Sequence, residues 1–186
     1  MSEQTMKKKQ EGLIHIYCGG GKGKTTAAIG LACRAAGRGR KVVFCQFMKG
    51  SETGEISALA RLGVTIVRSP EAHGFLYQMD AERQAAFETL QQSLLADVTN
   101  AMAKPEDGCP PELIVMDEAL DALLSGLISE EALRTFVDER PKETELVFTG
   151  RQAPVWLEEL AGYITDMTKK KHPWDSGIVA RKGIEY

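Results

Sequence analysis

The chain has 186 residues, 43% hydrophobic and 26% charged, with a formal net charge of -3. That length suits one domain with its own core, the ordinary balance excludes a disordered or fibrous chain, and the slight acidity argues against a broad nucleic-acid surface. No apolar run reaches the ~20 residues of a bilayer span, and the N-terminal "MSEQTMKKKQEG" lacks the apolar segment of a secretory leader.

The four cysteines, Cys18, Cys33, Cys45 and Cys109, show no C-x-x-C spacing. A metal cluster or disulfide framework is therefore not expected, and a reducing cytoplasm fits. Residues 1–11 read as a flexible arm and residues 12–186 as a single domain.

In chain order, "GLIHIY" (Gly12 to Tyr17) predicts a buried strand running into glycines. "TTAAIGLACRAAGRG" then predicts a helix, ended by Gly37 and Gly39. "KVVFCQF" is a second strand, "EISALARLG" a short helix stopped by Gly63, and "VTIVRS" a third strand. From Asp80 to about Ala103, Ala86, Leu90, Leu94 and Val98 stand four apart and predict a long amphipathic helix. "LIVMDEA" is an apolar strand ending in acids. Ser129 caps the helix "EEALRTFVDER", with Glu130 and Glu131 at the positive end of its dipole. "TELVFTG" is a further strand, "APVWLEELA" a helix and "YITDMTKKK" a last strand. This alternation, with near-continuous apolar strands, predicts an α/β fold: a mostly parallel sheet covered by helices on both faces.

The stretch "YCGGGKGKTTAA" carries the chemistry. Unpaired N–H groups in the first turn of a helix point at an anion there, and the helix dipole favours negative charge. Gly19, Gly20, Gly21 and Gly23 allow positive φ and close approach to phosphate oxygens. Lys24 supplies a point charge to the outer phosphates and Thr25 a hydroxyl for Mg²⁺. Cys18 stands where the phosphate-loop signature has its first glycine. Asp117 or Glu118, at the end of a neighbouring parallel strand, falls on the same rim and is suited to hold Mg²⁺ directly or through water. Gln46, Lys49 and Glu55 follow a strand at that rim and read equally as ligand contacts or as a polar loop. Arg151 in "FTGRQ" is placed to meet phosphate. His15 reads as a hydrogen-bonded core residue.

"GGGKGKTTAAIGLACRAAGRG", "VVFCQFMKG", "VMDEA", "FTGR" and "KHPWDSGIVARKGIEY" resemble the ATP-dependent corrinoid adenosyltransferases of the bacterial cobalamin pathway, from about Ile14 to Tyr186. That family also replaces the first glycine of the signature. The resemblance implies a RecA-like phosphate-loop architecture, usually homodimeric. It also implies transfer of the 5′-deoxyadenosyl group of ATP to the cobalt of cob(I)alamin or another reduced corrinoid, releasing triphosphate. Residues Gly19 to Thr26, including Lys22, would hold the polyphosphate, with Arg151 nearby and Thr25, Asp117 and Glu118 associated with Mg²⁺.

A flavoprotein or another electron donor would supply the reduced cobalt. "HGFLYQ" resembles the segment whose aromatic residues displace the lower axial ligand, which places Phe75 and Tyr77 in that role. An aromatic pair packing one face of a loop is the plainer reading of the same residues. His73 beside the pair is not expected to bind cobalt, and His172 reads as structural. The short N-terminal arm departs from longer family members, which leaves it without an expected lid role. Two other classes fit the loop: an ATPase or small-molecule kinase acting at the γ-phosphate, and a carrier that holds ATP and corrinoid without turnover.

Overall fold

The computed structural model describes residues 11–51, 53–69, 74, 76–105 and 108–185. Six strands, β1 (Ile14–Cys18), β2 (Val42–Gln46), β3 (Thr65–Arg68), β4 (Leu113–Asp117), β5 (Glu145–Thr149) and β6 (Tyr163–Asp166), form one sheet in the order β3-β2-β4-β5-β1-β6. Every pairing is parallel. All strand C-termini therefore open on one rim, where ligands of such sheets bind.

Among the described residues six α-helices cover the sheet: α1 (Lys24–Ala36), α2 (Gly54–Arg61), α3 (Ala81–Ala103), α4 (Ala119–Leu124), α5 (Glu130–Asp138) and α6 (Val155–Leu160). Alternation along the strands feeds two cores. Val42, Phe44, Leu113 and Val115 face α1 and α2, and Val43, Cys45, Ile114 and Met116 face the opposite layer. Ala28, Ala32 and Ala35 give α1 a small-residue stripe that lets it lie close to the sheet and brings its N-terminus over the rim.

The expected Ser129 cap and Gly63 stop are present: Ser129 accepts the Ala132 N–H at 3.1 Å, and Gly63 turns the chain at φ 78°. Asp80, read in sequence as the first residue of α3, instead caps it by accepting the Arg83 N–H at 2.9 Å. Three details differ from the sequence expectation. The buried face of α3 runs through Phe87, Gln91, Leu94, Leu95, Val98 and Met102, while Ala86 is exposed. A row spaced strictly four apart drifts about 40° per step around the helix, so the apolar face leaves it. α4 was not anticipated, because it follows β4 with no loop. Strand β6 stops at Asp166 rather than continuing through the lysines, since its partner β1 ends at Cys18.

Candidate active site

The loop between β1 and α1 is shaped by glycine where no other residue fits. Gly19 (φ 102°) begins it, and a Cβ there would strike the Asp166 carboxylate and the backbone of Met167. Gly23 (φ 120°) ends it as the N-cap of α1 and contributes no side-chain cap, so the first-turn amides face the loop. The segments that follow β6 and β5 hold it: Gly21 N–H donates to Met167 O, and Gly19 N–H to Arg151 O at 3.0 Å. Lys24 Nζ donates to Gly19 O at 2.8 Å and Gly21 O at 2.9 Å, which centres its charge within the loop. Gly20, Lys22 and Thr26 lie exposed on the outer side, where Lys22 Nζ is 3.4 Å from Glu185 of the C-terminal tail.

Asp117 organises the rest of the site. The strand carrying it is not the neighbour of β1, because β5 stands between them. Contact is made instead from above, by α1 crossing the sheet. Thr25 Oγ1 and Thr149 Oγ1 each donate to Asp117 Oδ1 at 2.8 Å, while Gln46 Nε2 (3.2 Å) and Lys49 Nζ (3.1 Å) reach Oδ2. Two oxygens with about four lone-pair sites thus receive four donors, which is how a fully buried carboxylate is tolerated. Since Thr25 spends its proton on Asp117, its lone pairs face a positive charge, here Lys49 Nζ at 3.4 Å.

Glu118 takes the outer position. It has φ 61° and hinges β4 to α4, held by its own N–H donating to Thr149 Oγ1 at 2.9 Å. Among the described residues, Met48 (φ 56°) and Glu118 are the two non-glycine residues with positive φ, and both border this site. Such strain concentrates where surrounding structure over-determines a functional geometry. Burial, reinforced by Asp117 and Asp121, pushes the Glu118 carboxyl above the usual range against the opposing pull of Lys49. Burial alone would lower Lys49, but the two carboxylates together outweigh it and raise it.

No group of three or more His, Cys, Asp or Glu gathers to hold a metal among the described residues. The donors are a hydroxyl and carboxylates. That hard-oxygen set fits Mg²⁺, which takes few protein ligands and keeps phosphates and waters.

The other expected residues fall into two groups. Arg151 lies beside Gly19 through its backbone, its own N–H donating to Asp121 Oδ1 at 3.2 Å, with an exposed side chain. Tyr77 sits exposed in a 3₁₀ turn (Leu76–Gln78) between β3 and α3. Phe75 and His73 lie outside the described residues. His15 Nε2 is 2.6 Å from Glu145 Oε1 and its ring stacks on Tyr163, a structural arrangement. His172 Nδ1 accepts the Trp174 N–H at 3.2 Å and caps the turn Pro173–Ser176. Gln46 and Lys49 are tied into the Asp117 cluster, and Glu55 joins it by accepting from Gln46 Nε2 at 3.3 Å. Thr149 was not singled out in sequence; a hydroxyl at the C-terminal end of a parallel strand is the signal that marks it.

A glycine loop that leads into an uncapped helix N-terminus and centres a lysine, beside a threonine oriented by a buried acid, is built for polyphosphate. The fold and this geometry define an α/β protein of the phosphate-loop NTPase-like class. The comparison with known families narrows this further. The model of the family "ATP:corrinoid adenosyltransferase BtuR/CobO/CobP" matches residues 10–186. The chain is 32% identical over 179 residues to the corrinoid adenosyltransferase of Pseudomonas aeruginosa, covering 95% of this chain and 85% of that one. It is 31% identical over 183 residues to that of Escherichia coli K12, covering 95% and 87%. Against corrinoid adenosyltransferase CobA of Salmonella typhimurium it is 31% identical over 185 residues, covering 96% and 87%. The chain belongs to the ATP:corrinoid adenosyltransferase family, enzymes that transfer the adenosyl group of ATP to a corrinoid.

Proposed function

We propose that the rim performs this transfer by gripping the triphosphate of ATP as a leaving group while reduced cobalt attacks the ribose C5′. The observation that carries the reading is the placement of Lys24 inside the glycine loop at the N-terminus of α1, beside Thr25, whose hydroxyl is oriented by the buried Asp117. Cob(I)alamin has no proton to lose, so a general base is not required. The protein's task is to hold cobalt and C5′ in line and to stabilise the charge that grows on the departing oxygen. The first-turn amides of α1 and the Lys24 ammonium serve that second task. The nucleotide would lie reversed relative to ordinary NTPases, with its ribose carbon toward the corrinoid.

Thr25 and Glu118 would offer oxygens to Mg²⁺, with Asp117 orienting Thr25 from behind. Bound there, Mg²⁺ would neutralise polyphosphate charge. Lys22, Thr26 and Arg151 would border the phosphates from the exposed side. Phe75 and Tyr77 would crowd the lower face of the corrin, remove its axial ligand and ease reduction of Co(II), an established lever on macrocyclic metals.

We place the enzyme in the cytoplasm, fed by a flavoprotein or other electron donor. Among the described residues no helix is long and apolar enough to cross a membrane. A homodimer is supported by the outer edge of β6, where Tyr163 and Ile164 are about half exposed. The deciding experiment is anaerobic incubation with Mg-ATP, a strong reductant and cobalamin. Adenosylated corrinoid with intact triphosphate is expected; ADP and phosphate with unchanged corrinoid would move the reading to γ-phosphoryl chemistry, and bound but unreacted substrates to a carrier.

A further inference from the structure

Lys49 leaves the end of β2 and turns back over the acidic rim. Its Nζ lies 3.1 Å from Asp117 Oδ2, 3.3 Å from Glu118 Oε1 and 3.4 Å from Thr25 Oγ1. Oxygens from α1, from the last residue of β4 and from the hinge that follows it thus converge on one positive centre. Two of the three, those of Thr25 and Glu118, are the oxygens read above as facing the divalent ion.

The position of this ammonium is built in. Met48, just before it, adopts φ 56°, and its N–H is fixed at 2.8 Å by Oε1 of Gln91, itself 1% exposed. A strained residue anchored by a buried amide aims the next side chain, and here it aims Lys49 across the rim at the acids.

An ammonium and a divalent cation cannot share the same few oxygens, because their charges repel at that range. We propose that Lys49 is a built-in counter-ion which exchanges with the divalent cation: it neutralises Asp117 and Glu118 before nucleotide binds, and yields the Thr25 and Glu118 oxygens when metal and polyphosphate arrive together. The proposal rests on the reading of Thr25 and Glu118 as metal-side donors.

Metal alone must evict a paired ammonium and leaves it with no new partner, which offsets much of what the metal gains from the oxygens. Metal with ATP brings a polyanion that gives the displaced ammonium a new partner. Binding of the two is therefore coupled, each raising the affinity of the other. Lysine suits this exchange, being a compact charge on a flexible four-carbon stem, whereas a planar guanidinium would lock onto the carboxylates.

The test uses Mn²⁺ as a paramagnetic stand-in, titrated into the full chain by electron paramagnetic resonance, with and without ATP and without corrinoid. Wild type should bind free Mn²⁺ weakly and gain strongly when ATP is added. Lys49→Met should bind free Mn²⁺ about tenfold more tightly and lose most of the gain from ATP, the range expected of a coupled pair of sites. Lys49→Arg should stay weak toward free Mn²⁺. In wild type, the Lys49 side-chain resonance, assigned by its loss in Lys49→Arg, should shift on adding Mg-ATP. This second measurement needs no destabilised variant. Free Mn²⁺ binding unchanged in a folded Lys49→Met protein, or a Lys49 resonance that ignores Mg-ATP, would overturn the exchange. The underlying metal reading fails separately, if Thr25→Ala and Glu118→Gln leave Mn-ATP binding to wild-type levels.

Discussion

Thr25 Oγ1 and Asp117 Oδ1 lie 2.8 Å apart although 92 positions separate them in the chain. The bond joins the N-terminal turn of α1 to the end of β4 and fixes which way the Thr25 lone pairs face. Asp117→Asn keeps the shape of the side chain but replaces one acceptor oxygen with a donor NH₂, directed at partners that are themselves donors. Activity should fall at least ~100-fold, the range for losing a preorganised polar group in a site of this kind. Thr25→Ala should weaken Mg-ATP binding and spare ATP binding without metal. Calorimetry in the presence and absence of Mg²⁺ checks this, and an equal loss under both conditions would count against Thr25 as a metal-side residue.

Lys24→Ala removes the charge centred between Gly19 O and Gly21 O. Turnover should be nearly abolished while the fold persists, because the replacement leaves two loop carbonyls that water can reach. Steady-state assay beside circular dichroism separates the two; a variant within a few fold of wild type would exclude Lys24 from the polyphosphate site.

Thr149 bridges two parts of the rim, donating to Asp117 Oδ1 at 2.8 Å and accepting from Glu118 N–H at 2.9 Å. Thr149→Val keeps the volume and deletes the bridge. Leaving a buried carboxylate oxygen and an amide short of partners should cost about 1–3 kcal/mol in denaturant unfolding. Thr149→Ser should recover most of it, since only the hydroxyl matters to both bonds. Equal losses for Val and Ser would assign the effect to packing.

These residues also mark where sequence reading reaches its limit. Gly19, Gly20, Gly21, Gly23, Lys24, Thr25 and the apolar runs of β1, β2, β4 and β5 are legible because their signals are local: a strand, a turn and a helix start lie within a dozen residues. Asp117 is legible as an acid at a strand end. What it does with its two oxygens is not, because Thr25, the pair Gln46 and Lys49, and Thr149 come from three separate segments joined only by the strand order. The insertion of β5 between β1 and β4 leaves no trace in the spacing. The hinge at Glu118 was hidden for a similar reason, since an αL glutamate has no local signature and is held there by Thr149. Phe75 lies outside the described residues, so its expected role stays tied to family resemblance.

Glu185 supplies a pH prediction. Its carboxyl is held down to about 2, first by the side-chain and backbone N–H groups of Arg181 and then by Lys22. A carboxylate depressed in the fold contributes stability above its unfolded value of about 4.3 and loses it as pH falls through the folded value. Contact between the tail and Lys22 should therefore loosen as pH falls from about 4.3 to about 2. Amide protection of residues 181–185, corrected for intrinsic exchange, should be lower in Glu185→Gln than in wild type at pH 7. The two should converge toward the acid end. A difference that ignores pH would show that the ion pair does not hold the tail.

Tyr77 offers the cleanest separation of the two halves of the proposed chemistry. Its ring is 79% exposed in the turn after β3, so truncation removes little buried surface. Tyr77→Ala should leave thermal stability within about 0.5 kcal/mol, as for other surface changes. If the ring helps to strip the axial ligand from Co(II), its loss acts before the alkyl transfer, on the reduction step. Activity should then drop strongly when Co(II) must be reduced on the enzyme and only slightly when cob(I)alamin is supplied chemically. The same contrast should appear spectroscopically, as loss of the four-coordinate Co(II) signal on the variant with ATP bound. Matching losses in both assays, with the Co(II) signal intact, would reduce Tyr77 to a surface contact and move the ligand-displacing role elsewhere on the rim.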